Sequence, residues 1–213
     1  MKKSLVVLLL LFLSWSVLEA KPGLVSVGLK GGFNLANISV SPAPTEISRF
    51  SNLGGLTWGI FVSLGQGFLA IQPEFLFARR GTKYQAFIDD NFYRVEWQHN
   101  YLEALLLLKW WVLNSGPVRP FILAGPSYGR LSKAKSVVLD SLGKEIAAVD
   151  TKEYFRKDEL AVVMGTGLEF KVSRLKLSLE VRYHLGLSNV ALSGQGVDYI
   201  KNKSLSILGG FSF

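Results

Sequence analysis

The chain has 213 residues, long enough for one domain and short for two. With 49% hydrophobic, 12% aromatic and 19% charged residues it is too apolar to be disordered, and the lack of cysteine excludes a disulfide scaffold, a thiolate metal site, a thiol nucleophile and a lipoprotein anchor. The net charge of +8 comes from scattered lysines and arginines without a long like-charge run, which argues against a nucleic-acid partner and leaves anionic lipid head groups.

Met1-Lys2-Lys3 is a short positive stretch, residues 5–13 are nearly pure Leu and Val, and residues 14–20 are mixed and end in Ala20. This is the anatomy of an export signal, with cleavage expected after Ala20 and Ser16 as the alternative. The apolar run falls short of the roughly 20 residues that a membrane helix needs. The expected organisation is a signal peptide over 1–20 and one domain over 21–213.

Beyond the signal the hydrophobic pattern has the period of a strand, not of a helix. In the first predicted strand Val25, Val27, Leu29, Phe33 and Leu35 alternate with Ser26, Gly28, Lys30 and Asn34. In the second, Leu56, Trp58, Ile60, Val62 and Leu64 alternate with Thr57, Gly59, Phe61 and Ser63; in the third, Leu69, Ile71, Phe75 and Phe77 alternate with Ala70, Gln72, Glu74 and Ala78. The fourth, 101–111, is apolar on both faces except for Glu103 and Lys109, which share the parity of Tyr101 and mark the interior face. The fifth, 119–131, alternates poorly and carries Pro120 and Pro126, residues that normally mark a strand end or a bulge. The sixth sets Leu160, Val162, Met164, Leu168 and Phe170 against Glu159 and Glu169. The seventh is the cleanest: Leu175, Leu177, Leu179, Val181, Tyr183, Leu185 and Leu187 oppose Lys176, Ser178, Glu180, Arg182 and His184. The last sets Leu205, Ile207, Phe211 and Phe213 against Ser204, Ser206 and Ser212.

Alternate side chains leave a strand on opposite faces. One face here is too charged for a soluble core, and the other is too long and uniformly apolar for water. The connections alternate long and short: 37–53, then 65–67, 81–91, 114–117, 132–155, 173–174 and 189–200. The expectation is an all-β, eight-stranded antiparallel up-and-down transmembrane β-barrel in a bacterial outer membrane, with short turns and both chain ends in the periplasm. Trp58, Phe68, Phe77, Tyr93, Trp97, Tyr101, Trp110, Trp111, Tyr128 and Phe170 lie near predicted strand ends and suit interfacial girdles, although aromatics favour strands in general.

The inward charges are Lys30, Glu74, Glu103, Lys109, Glu169, Glu180, Arg182 and His184, with Lys176 beside them. An eight-stranded barrel is just wide enough inside for side chains, and unpaired buried charge is costly, so an ion-pair network filling the lumen is expected. The alternative is a selective channel or a proton-linked site.

Catalysis and cofactors are not expected. The histidines are His99 and His184, no His-x-Ser occurs, and His184 points inward with Ser188 on the same face. Asp89-Asp90 is ordinary loop chemistry, no metal-ligand spacing occurs, and Gly28, Gly31 and Gly32 precede no helix that would bind phosphate. Lys133, Lys135, Lys144, Lys152, Arg156 and Lys157 interleave with Asp140, Glu145, Asp150, Glu153 and Asp158, either as a solvated mixed surface or as a contact for lipopolysaccharide phosphates.

The chain ends Leu208-Gly209-Gly210-Phe211-Ser212-Phe213, which resembles the terminal strand read by barrel-insertion machinery, with Phe211 and Phe213 as the signal and the glycine one place late. Residues 27–35 (VGLKGGFNL), 101–109 (YLEALLLLK), 119–126 (RPFILAGP) and 182–189 (RYHLGLSN) together resemble the PorT family of outer-membrane β-barrels, in which proline is common at or near the position of Leu105. The resemblance implies fold and location, and a link to protein-secretion machinery. The expected role is structural or interactive, with outer-membrane lipid, lipopolysaccharide, the insertion machinery and secretion-system proteins as partners. A small-solute pore and a lipid-modifying enzyme are the alternatives.

Overall fold

The computed structural model describes residues 24–42, 48–88, 91–140, 142–173, 175–192 and 198–213. The expected signal peptide and Asp89-Asp90 lie outside these residues. The strands are β1 (Val25–Ser41), β2 (Ser48–Gln66), β3 (Leu69–Ile88), β4 (Asn91–Trp111), β5 (Val118–Leu139), β6 (Glu145–Asp150), β7 (Asp158–Val172), β8 (Leu175–Gly186) and β9 (Tyr199–Ser212). All but β6 form an antiparallel ring of eight, in which β4 pairs with β5, β5 with β7, and β9 with β1. Strand β6 pairs with β5 alone and stands outside the ring.

Closure follows from the first and last strands, which stay in register from Gly28 opposite Ser212 to Ser41 opposite Tyr199. Their close approach requires glycine. A Cβ on Gly32 would lie 2.0 Å from the Ile207 carbonyl oxygen, and one on Gly28 would lie 2.3 Å from that of Phe211. A closed ring leaves no strand edge unpaired, which is what a sheet needs in hydrocarbon.

The alternation sorts side chains as the sequence pattern predicts. Leu29, Phe33, Trp58, Ile60, Phe75, Leu106, Ile122, Leu179 and Ile207 are exposed on the outer wall, while Lys30, Thr57, Glu74, Glu103, Lys109, Glu180 and Arg182 are buried within. An apolar surface of this extent has no stable place in water and forms the lipid-facing band of a membrane barrel.

Three details depart from the sequence reading. The predicted long connections are largely strand: β1 and β2 enter 37–53, β3 and β4 consume nearly all of 81–91, and 132–155 holds the end of β5, all of β6 and a 3-10 turn at Lys152–Tyr154. Ladder hydrogen bonds continue where the outward face meets water, so apolar alternation fades before the strand ends. Second, Pro120 and Pro126 lie inside β5. The pairing with β7 runs unbroken from Val118 to Arg130, and the ladder to β4 lapses between Ser127 and Ala124, beside Pro126, which has no N–H to give. Third, Tyr101 and Trp111 are buried in the lumen and do not belong to a girdle, because they share the parity of Glu103 and Lys109. Trp58 and Phe77 do pair on the outer wall, with ring centroids 5.7 Å apart.

Candidate functional site

The lumen is built from the inward residues of every strand in the ring, and its charges fall into three groups. Nearest the chain termini, Lys109 Nζ lies 2.8 Å from Glu169, and Arg119 from the start of β5 pairs with the same carboxylate. Lys109 also sits 3.9 Å from the centre of the Phe121 ring. In the middle, Lys30 bridges Glu74 at 2.7 Å and Glu180 at 2.9 Å. Arg182 grips Glu74 through both terminal nitrogens at 2.7 and 2.8 Å and reaches Glu180 at 2.5 Å, and Gln72 donates to Glu74 at 2.6 Å. In the third group Arg80 meets Glu103 at 2.6 Å, Glu159 at 3.6 Å and the ring nitrogens of His184 at 2.7 and 2.9 Å.

Among the described residues, five buried carboxylates (Glu74, Glu103, Glu159, Glu169 and Glu180) face five buried cations (Lys30, Arg80, Lys109, Arg119 and Arg182). Taking an ion out of water costs several kcal/mol, and such a charge is tolerated inside only when paired and hydrogen-bonded. The bidentate Arg182–Glu74 contact is the geometry in which that pairing is strongest.

Of the residues expected from sequence, Lys30, Glu74, Glu180 and Arg182 converge in the middle group, Glu103 and His184 in the third group, and Lys109 and Glu169 in the group nearest the termini. Arg80, Arg119, Gln72 and Glu159 complete these groups and were outside the predicted set. Glu159 shares the parity of Glu169, and Arg80 continues that of Glu74 past the predicted strand end. The prolines of β5 obscure Arg119.

Loop residues close the end away from the termini. Ile38, Tyr101, Leu131, Ala134, Phe155, Val190, Ala191 and Ile200 form a buried apolar cluster. Phe155, just past the 3-10 turn, bridges to Ala191 and places its ring 4.3 Å from that of His99. Below this cork Asn202 donates to the Tyr101 hydroxyl at 3.1 Å. At the terminus end a narrow cavity of about 10 Å³ is floored by Lys109 and Glu169, room for about one water. It adjoins a wider opening of about 240 Å³ at the mouth.

His184 meets Arg80 and Glu159, whereas the Ser188 hydroxyl accepts the Leu160 N–H at 2.9 Å, so the two do not form a base–nucleophile pair. On the outer side a groove of about 640 Å³ is lined by Lys152, Glu153, Phe155, Arg156, Lys157, Asp158 and Leu192. There the basic and acidic loop residues stand side by side.

Over residues 19–192 the chain matches the family model described as the outer membrane protein beta-barrel domain. A search of curated proteins finds no match. Among solved structures it is similar to Neisserial surface protein A, at 15% identity and a TM-score of 0.49, covering 89% of this chain and 97% of that one. It is also similar to Ail of Yersinia pestis, solved in complex with the heparin analogue sucrose octasulfate, at 13% identity and 0.43, covering 89% and 99%. OprG from Pseudomonas aeruginosa is similar at 12% identity and 0.45, covering 88% and 95%. The family match spans most of the chain, and the ring supplies the lipid-facing wall that such a protein needs: this protein belongs to the outer membrane protein beta-barrel domain family and resides in the bacterial outer membrane.

Proposed function

We propose that this protein is a closed, non-conducting and non-catalytic barrel that holds an interaction surface outside the cell. The observation that carries this reading is the lumen, crossed by three groups of paired charges and corked by Phe155 and its apolar neighbours. A pore needs a wetted path, and side chains here occupy the space that water would use.

The interaction surface comprises the exposed strand β6 and the groove beside the 3-10 turn, where Lys152, Arg156 and Lys157 offer cations to lipopolysaccharide phosphates. The PorT-like motifs favour secretion-system proteins as a further partner. Phe211 and Phe213 face outward at the barrel's end with ring centroids 6.1 Å apart, and serve as the mark read by the insertion machinery.

Planar-bilayer recording of the purified protein tests the closed lumen. The expected trace has no unitary steps at any voltage. Stable, ion-selective steps would overturn the reading in favour of a small-solute pore.

A further inference from the structure

At the periplasmic end, where short turns gather, residues of β1, β2, β4, β5, β7 and β8 surround the cavity of about 240 Å³. Among the described residues its charged lining is Arg119, Lys171 and Lys176, with no carboxylate. Ser26, Ser63, Trp111 and Lys176 also border the small inner cavity, so the two form one blind pocket with Lys109 and Glu169 as its floor.

Three observations point to a negatively charged occupant. Lys171 and Lys176 stand directly opposite each other across β7 and β8, and both line the pocket. Like charges in that position repel, and an anion between them turns the repulsion into attraction. Next, Arg119 gives a terminal nitrogen to Glu169, yet among the described residues its buried Nε–H has no partner, and the buried indole N–H of Trp111 has none either. Both groups donate and cannot accept, so only an acceptor completes them. Finally, Glu169 at the floor is already ion-paired to Lys109 and Arg119, so it offers Lys176 a shared attraction and no salt bridge among those between described residues. The Lys176 ammonium donates to the Ser26 hydroxyl.

We propose that this pocket binds a small phosphate-type oxyanion from the periplasm, either inorganic phosphate or a compact phosphate monoester. Arginine and lysine together supply the directed donors and the point charge that phosphate oxygens take, and the serine hydroxyls add donors at the wall. The volume lies below the roughly 300–1,000 Å³ of pockets for larger organic ligands, so the occupant is compact. The site lies at the opposite end from the proposed surface platform and is independent of it. Because the lumen is filled beyond Glu169, the pocket binds its ligand and does not pass it on.

The test uses the whole barrel in non-ionic detergent at about 0.15 M salt, where loosely attracted ions are screened. Inorganic phosphate and glycerol phosphate are titrated in separate arms, followed by calorimetry and by tryptophan fluorescence, to which Trp111 contributes. Saturable one-to-one binding is expected in at least one arm, and which arm binds identifies the source. The K171Q/K176Q variant, which relieves a like-charge pair and keeps the fold, should bind about tenfold more weakly or worse, a change near 1.4 kcal/mol. R79Q, at an exposed position of β3 outside the pocket, should bind like the parent. Absence of saturable binding in both arms, or unchanged binding by K171Q/K176Q, overturns the proposal. Neither result touches the closed lumen, which the bilayer recordings address separately.

Discussion

Glu74 is heavily engaged in the lumen, since Lys30, both terminal nitrogens of Arg182 and the Gln72 amide converge on it. Removing the carboxylate leaves two buried cations to share Glu180. Glu74→Ala should therefore lower stability by about 3–5 kcal/mol, the range for breaking a buried ion pair from one side. The measurement is the urea midpoint in detergent micelles, and a midpoint equal to that of the parent would mean the pair is solvated. Glu74→Gln keeps the shape and some hydrogen bonding and should lose less. Glu74 was legible from sequence because strand parity fixes which way a side chain faces. The identity of its partners was not, since Lys30 and Arg182 lie 44 and 108 residues away and meet it only when the ring closes. Phe155 shows the same limit: nothing local in a loop tells that its ring folds back over the barrel.

The decisive element is the pairing of β1 with β9. Gly32→Val places a branched side chain where a single Cβ already meets the Ile207 carbonyl at 2.0 Å, and the strands cannot part without opening the ring. Loss of the compact, heat-modifiable gel band is expected, whereas Gly54→Ala, with no atom within 4 Å of the new Cβ, should keep it. A compact band for Gly32→Val would show that the seam is looser than described. The membrane-embedded parts of the strands were readable because two environments, lipid and lumen, alternate along them. Beyond the membrane both faces meet polar surroundings, and the pattern that marked Phe77 as strand gave no sign that β3 continues through Arg80 to Ile88. Strand β6, exposed along its whole length, carries no burial pattern to read.

On the scale of the molecule, strand length exceeds what a bilayer requires. The 21 residues of β4 extend about 70 Å along the strand and, at a tilt near 40°, rise about 50 Å, against an apolar band of about 25 Å. A substantial part of the β3–β4 hairpin thus stands clear of the hydrocarbon. Two isoleucines test this division. Ile60 lies midway along the outward apolar run of β2, and Ile146 is exposed on β6. Ile60→Arg should cost about 2–4 kcal/mol, the depth-dependent range for a cation on the lipid face, whereas Ile146→Arg should stay within about 0.5 kcal/mol of the parent. Folding into vesicles against urea reads both, and equal effects would contradict the placement.

The contact of Lys30 on β1 with Glu180 on β8 also bears on how the molecule is made. In an unclosed sheet these residues stand far apart on a face open to hydrocarbon, where an unpaired charge is strongly disfavoured. Curling the sheet until the first and last strands meet brings the partners together and hides them in the same act. The bilayer thereby discriminates finished from unfinished chains: a ring is soluble in lipid and a ribbon is not, so assembly carries its own proofreading in the pattern of charges.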